Sequence, residues 1–223
     1  MRYRLLLITI GAVLVALTFT FPAWIKLFQR EQPVAQQEVF PGLSADMQLA
    51  FQVLPQDQQA AYRAIAEQDR VKAIAMIEAA LQPGIPAPTE QQEMPEMTGA
   101  ESIATGEFTR LDAVRWAQGN VTIYQQADES KILRFENFSI ANGPGLRVAL
   151  APDPPEIDEE EEMNDVSPID YILVSGLDLG PLWGTLGNQN YDIAPEIDIT
   201  EYTSVVIFSP SLEIIYSIAP LTF

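Results

Sequence analysis

The second half of the chain alternates short apolar segments with turns, a pattern that predicts β-strands. The predicted strands span residues 108–111, 121–124, 132–140, 146–150, 171–174, 204–208 and 212–218. The last two are apolar almost throughout, which indicates strands buried on both faces. No long helical period interrupts them, so the pattern predicts a mainly β domain over residues 103–223, either an antiparallel β-sandwich or a small barrel.

Residues 44–82, which precede the predicted strands, show the spacing of apolar residues that is typical of helices. Apolar residues recur at helical spacing in three short segments, and Pro55 separates the first from the second. Ser44 and Asp69 are predicted N-caps, and Pro83 with Gly84 is predicted to end the third helix. Three such helices have a marginal core of their own. They are typical of a spacer bundle or of a set of protein-docking helices.

An uncharged apolar run of 21 residues, 5–25, follows Arg2 and Arg4 and precedes Lys26. A helix of that length spans the hydrocarbon core of a bilayer, about 30 Å. A cleaved signal peptide is the alternative, but bulky residues follow the run where a signal peptidase requires small ones. The pattern therefore predicts an uncleaved signal anchor over residues 1–30, in a single-pass protein of the cell membrane whose C-terminal domain is extracytoplasmic.

Three polar segments lie between or within these units. Residues 31–43 are predicted to be a spacer, and residues 83–102, rich in Pro, Glu and Met, a linker. The run between Pro152 and Pro168 holds eight acidic residues and is predicted to be a solvated loop. Clustered carboxylates also suit calcium, but the run lacks the ligand spacing and central glycine of an EF-hand loop. No metal site is predicted.

The composition excludes several classes of function. The 223 residues include no cysteine and no histidine, which excludes disulfides, thiolate nucleophiles, zinc fingers and histidine-ligated haem. The net charge is −19, and all 31 acidic residues follow Arg30, so the chain repels nucleic acid, which is not predicted as a partner. Carboxylates such as Asp170 and Asp198 are candidates for hydrolysis, but no general base, nucleophile and orienting group can be named together. Neither an enzyme nor a cofactor is predicted.

Four segments of the chain resemble, in order, the DM-thirteen domain: residues 106–125, 132–150, 179–193 and 202–221. The most specific parts are NGPGLRV and LGNQNY. This small domain accompanies DOMON modules in animal Skeletor-type proteins and stands alone in membrane-tethered bacterial proteins. The resemblance implies extracytoplasmic electron transfer through a cysteine, as a bare thiol or as a ligand to a prosthetic group. Ser209 stands at the corresponding position here, and Trp183 stands where the family more often has lysine.

The residues and the resemblance support two hypotheses of function. The first is a non-catalytic binding or interaction module that has lost the thiol-based redox site, because a serine hydroxyl neither cycles to a disulfide nor ligates haem usefully. Its partners would be the membrane, through the N-terminal helix, and a protein or an extracytoplasmic ligand. The alternative is an extracytoplasmic electron-transfer protein, as the resemblance implies.

The candidate ligand or family-site positions cluster in two glycine-containing turns and at the end of a predicted strand. They are Asn142, Gly143, Pro144, Gly145, Arg147, Trp183, Gly187, Asn188, Gln189, Asn190, Tyr191 and Ser209. Backbone donors of the turns could converge there with Trp183 and Tyr191 as stacking faces. In the alternative interpretation the asparagines satisfy the turn backbone and the aromatic side chains fill the core.

Overall fold

The computed structural model describes residues 40–96, 99–152 and 168–223 of the chain. The predicted signal anchor, most of the predicted spacer and residues 153–167 of the acidic run lie outside the described residues. Over the described ranges, no helix is long and apolar enough to cross a bilayer.

In the described residues, eight antiparallel strands form one sheet that is nearly closed into a barrel. They are β1 (Glu101–Glu107), β2 (Ala117–Gln125), β3 (Lys131–Ile140), β4 (Arg147–Ala151), β5 (Leu177–Pro181), β6 (Gln189–Ile193), β7 (Ser204–Ser209) and β8 (Ile214–Thr222). The order across the sheet is β5-β4-β7-β8-β1-β2-β3-β6, and the two end strands contact each other. The predicted antiparallel β architecture is confirmed, in its barrel form.

Strand β7 is buried on both faces, as its apolar run predicts. Val205 and Ile207 point into the barrel core, whereas Val206 and Phe208 pack on the outside. There they meet a helix that spans Pro168–Ser175 and contributes Ile172 to the second core. Because successive side chains of a strand point to opposite faces, this one segment contributes residues to both cores.

Two predicted strands are wrong. Residues 171–174 belong instead to the helix Pro168–Ser175, because Ile169 and Ile172, one helical turn apart, are buried while Val174 is 83% exposed. The segment 108–111 follows β1 as an irregular connection, since Leu111 and Asp112 donate their N–H groups to the carbonyl of Arg115 and form a turn. Strands β5 and β6 lie in the glycine-containing stretch 179–193 and its flank, where no strand was predicted.

In the described part of the chain, the predicted helical region forms three helices: α1 (Ala45–Val53), α2 (Gln56–Gln68) and α3 (Arg70–Ala80). The predicted cap of α3 is confirmed, because the Asp69 carboxylate accepts a hydrogen bond from the Lys72 N–H at 2.9 Å. Ser44 occupies the N-cap position of α1, but its hydroxyl makes no capping bond. Phe51, Tyr62 and Ile77 are buried in the same apolar cluster as the barrel interior. The helices therefore pack on the barrel.

Backbone hydrogen bonds hold part of the predicted linker against the barrel. The Ile85 carbonyl accepts hydrogen bonds from Thr185 and Leu186, and the Ala87 N–H donates to Leu186 at 2.8 Å. A β-carbon at Gly184 would lie 2.6 Å from the Ile85 carbonyl oxygen, so only glycine permits this approach. The short helix α4 (Thr89–Gln92) follows, and the final helix described above is α5 (Pro168–Ser175).

Candidate functional site

Ser209, the family-site position implied by the resemblance, is completely buried at the end of β7. Its hydroxyl donates a hydrogen bond to the Pro144 carbonyl at 2.6 Å and lies 3.2 Å from the Ser211 hydroxyl. The pairing of β7 with β4 brings the turn before β4 over this position. The Ser209 side chain is thus held by contacts within the domain.

The same turn covers Tyr216, a residue of β8 that was not predicted as a site residue. A β-carbon at Gly143 would lie 2.6 Å from the Tyr216 hydroxyl oxygen and 2.8 Å from the ring carbon Cε1, so only glycine fits there. Tyr216 is 1% exposed, and its hydroxyl has no hydrogen-bond partner in the described part of the chain. Burial, assisted by the nearby Tyr62, raises the pKa of Tyr216 well above its ordinary value.

Gln189 organises the second group of predicted residues, around the loop between β5 and β6. Its side-chain carbonyl accepts hydrogen bonds from the Trp183 N–H at 3.0 Å and the Tyr191 hydroxyl at 2.9 Å. Its amide donates to the Gly184 carbonyl at 2.6 Å. The Gln189 side chain is fully buried, whereas that of Trp183 is 44% exposed. One buried amide therefore fixes the path of the loop.

Asn190 ties α4 to the barrel. Its amide donates to the carbonyls of Gln91 and Glu93 at 2.8 and 2.9 Å, and its oxygen accepts from the Arg134 guanidinium at 2.8 Å. Arg134 is 3% exposed and also binds the Glu136 carboxylate at 3.0 Å. These groups satisfy each other, which supports the structural interpretation of Asn190.

The other predicted positions also serve local structure. Asn188 accepts a hydrogen bond from the Asn137 N–H at 3.0 Å, and Arg147 forms an ion pair with Asp178 at 2.7 Å. Gly145 and Gly187 lie in turns with φ of +59° and +95°. The structure brings Ser209 and Pro144 together, and the Leu182 N–H donates to the Leu146 carbonyl at 2.9 Å, so the two predicted turns adjoin each other there.

A partly open cavity of about 270 Å³ lies between the helices and one end of the barrel. Among the predicted residues, Asn142 lines it, and its amide donates to the Gln82 carbonyl at 2.6 Å. Tyr62 of α2 and Trp116, just before β2, also line it. The sequence pattern contains no signal that a cavity would form beside Tyr62.

Burial at this cavity makes Tyr62 harder to ionise. Tyr62 is 3% exposed, and burial, with a smaller effect of Asp112, raises its pKa to about 12. Asp112 itself is engaged by Arg115 in an ion pair of 2.6 Å. The Arg110 guanidinium lies 5.6 Å from the centroid of the Trp116 ring. A protonated tyrosine and an indole therefore face the space between helices and barrel.

The residues present do not fit a thiol site or a haem-type group at Ser209. The chain has neither cysteine nor histidine, and the Ser209 hydroxyl is already bound to Pro144. No cluster of three or more acidic side chains suited to a metal ion occurs in the described ranges. A second cavity, of about 480 Å³, lies at the opposite end of β2 and β3, and Glu129, Glu196, Asp198 and Lys131 are among the residues that line it.

Comparison with known proteins gives one match. The family model described as electron transfer DM13, the DM-thirteen domain, matches residues 107–221, which are 115 of the 223 residues. The match runs from the end of β1 into β8 and includes every residue of the two predicted groups. No curated protein and no solved structure matches the chain. The resemblance drawn from the sequence is confirmed.

Proposed function

The chain belongs to the electron transfer DM13 family, and we propose that this member is a non-catalytic binding module without thiol redox chemistry. It is anchored in the cell membrane by residues 5–25 and exposes its barrel outside the cytoplasm. There it binds a protein partner or a small ligand. The uncharged run after Arg2 and Arg4 supports the anchor.

The hydrogen bond between Ser209 and Pro144 carries this proposal. A redox thiol or a ligand must present a reactive atom to a partner or a prosthetic group. The residue that the resemblance places at the family position is Ser209, which is fully buried and donates to a backbone carbonyl at 2.6 Å. This hydrogen bond indicates that Ser209 contributes to the stability of the barrel.

Electron transfer is the second candidate, and membership of the family favours it. It would require a redox group held by residues other than cysteine and histidine, since the chain has neither. Oxygen ligands, aromatic stacking or residues of a partner would have to hold that group.

The visible absorption spectrum of the full chain, purified from membranes of its own host, tests the proposal. The expected spectrum has the tyrosine and tryptophan band and no band in the visible range. A visible band that changes on addition of dithionite would contradict the proposal and favour electron transfer. Proteolysis of intact cells tests the location: an extracytoplasmic barrel is cleaved without permeabilisation, and a cytoplasmic barrel is protected.

A further inference from the structure

We propose that the cavity between the helices and the barrel binds a small neutral aromatic molecule that carries a carbonyl group. The inference rests on the proposed binding function, and it names the site and the class of ligand. The cavity is distinct from the buried Ser209 position, which does not line it.

Backbone hydrogen bonds fix the walls of the cavity. The Ile140 N–H donates to the Thr185 carbonyl at 3.1 Å, which joins the end of β3 to the loop before β6. The Thr185 hydroxyl accepts from the Ile85 N–H at 2.9 Å and ties that loop to the segment after α3. The Ala141 N–H donates to the Trp116 carbonyl at 3.0 Å. A ligand would therefore meet a largely preformed site, as small-molecule sites usually are.

The lining of the cavity is uncharged. Thirteen described residues line it, and none is an aspartate, glutamate, lysine or arginine. The cavity at the opposite end of β2 and β3 has Glu129, Lys131 and Asp198 in its lining, so uncharged walls are not general in this acidic chain. Moving a charged ligand from water into walls without a partner charge is costly. The lining therefore favours a neutral ligand.

Within the described residues, some hydrogen-bonding side chains of the lining have no hydrogen-bond partner, Gln58 and Tyr62 among them. Neither the Gln58 amide nor the Tyr62 hydroxyl makes a side-chain hydrogen bond within the described residues, although both line the cavity. The Tyr62 hydroxyl is protonated at neutral pH, as that of any tyrosine with a pKa of 10.0 or above is, so it can donate. A ligand carbonyl would accept from Tyr62, and Gln58 can donate or accept a second bond.

The size and the aromatic lining indicate a single ring. The volume of about 270 Å³ equals that of roughly nine waters at about 30 Å³ each. Tyr62 comes from the helical wall and Trp116 from the barrel wall, and both present large apolar surfaces on which a flat ring can pack. Leu54, Val114 and Ile140 supply the remaining apolar contacts.

Benzamide is the probe, because it is neutral and combines one ring with a carbonyl group. Benzoate is the matched anion of the same size. The chain has three tryptophans, Trp24, Trp116 and Trp183, so the indole N–H signals of the ¹⁵N-labelled full chain report on binding site by site. Benzamide is expected to shift the Trp116 signal saturably and to leave Trp183 unchanged. Benzoate is expected to bind at least tenfold more weakly.

Variants of the lining complete the test. Ala80→Leu, at the end of α3, is expected to fill the cavity and weaken benzamide binding at least tenfold. Ala79→Leu makes the same change on the same helix at a residue that does not line the cavity, and it should leave binding unchanged. Tyr62→Phe is expected to weaken binding roughly three- to tenfold, the effect of one hydrogen bond.

Three results would overturn the inference: no saturable Trp116 shift with benzamide, equal binding of benzoate, or unchanged binding in both Ala80→Leu and Tyr62→Phe. Circular dichroism shows which variants fold, and Tyr62→Phe keeps the test decisive if Ala80→Leu does not fold. Failure here leaves the visible spectrum unaffected, so it is distinguishable from failure of the proposed function.

Discussion

The Ser209 hydroxyl donates a hydrogen bond to the carbonyl of Pro144, 65 residues earlier in the chain, at 2.6 Å. This bond fastens the turn before β4 to the end of the neighbouring strand β7. Gly143 of the same turn lies against the ring of Tyr216. The position that the family resemblance marks as reactive is thus a structural junction in this chain.

Ser209→Ala should destabilise the protein. The substitution removes the donor to Pro144 and is expected to lower the free energy of unfolding by about 1–2 kcal/mol. Ser102→Ala is the matched control, because Ser102 is exposed on β1 and makes no side-chain hydrogen bond within the described residues, and its effect should stay below about 0.5 kcal/mol. Chemical unfolding of the two variants measures the difference. Equal effects would remove the structural role assigned to Ser209.

Tyr216→Phe and Tyr191→Phe should act in opposite directions. Both tyrosines are buried, but the Tyr191 hydroxyl donates to Gln189 at 2.9 Å, whereas that of Tyr216 has no partner in the described residues. Removing a bonded hydroxyl costs about 1–2 kcal/mol, whereas removing an unsatisfied one is neutral or stabilising. Thermal unfolding should therefore rank Tyr216→Phe at or above the unchanged protein and Tyr191→Phe below it. The reverse order would contradict the hydrogen-bond assignment.

Stability should fall between pH 10 and pH 12. The pKa of Tyr62 is about 12 in the folded protein, against an ordinary value of 10.0. In this interval the unfolded chain releases the Tyr62 proton and the folded chain keeps it, so rising pH favours unfolding. Tyr62 contributes at most about 1.4 kcal/mol per pH unit to this loss.

Tyr62→Phe is the test of that dependence. It should reduce the slope of unfolding free energy against pH between pH 10 and pH 12, while Tyr191 and Tyr216 maintain the remainder in the same direction. Chemical unfolding over this interval measures both slopes. An identical slope in the variant would show that Tyr62 ionises in the folded state as readily as in the unfolded state.

Asn190→Ala should release α4 from the barrel. It removes two bonds to the backbone of Gln91 and Glu93 and one from Arg134. The expected loss is about 2–3 kcal/mol, with faster hydrogen exchange over residues 89–93. Asp192→Asn, at an exposed position on the same strand, should leave that exchange unchanged. Unaltered exchange in Asn190→Ala would mean that other contacts hold α4.

The central strands could be predicted because the β-propensity of their residues and the burial of their side chains both favour a strand. The segments that became β7 and β8 are largely apolar and rich in β-branched residues, and most of their residues are buried as such composition requires. Residues 171–174 have the same composition but form part of α5, because Ile169 and Ile172 seal the outer face of the sheet one helical turn apart. The local sequence pattern alone does not show that packing against the sheet selects a helix for these residues.

The cavity could not be predicted from the sequence. Its lining joins Tyr62, Trp116 and Thr185, which are far apart in the chain and belong to segments with separate local patterns. The backbone contact between Ile85 and Thr185 depends on Gly184, whose role is visible only once the two segments are adjacent. The hydrogen bonds of the predicted glycine-containing turns favour their structural interpretation, and the space beside them carries the binding hypothesis.

Protein-film voltammetry of the full chain tests the central claim, that this member of the family carries no redox site of its own. The unchanged protein should give no reversible wave. Ser209→Cys, in a chain with no other cysteine, shows whether a thiol at that position is enough to hold a redox-active group. Any reversible wave from the unchanged protein would contradict the account, and Ser209→Ala would then show whether that wave depends on Ser209.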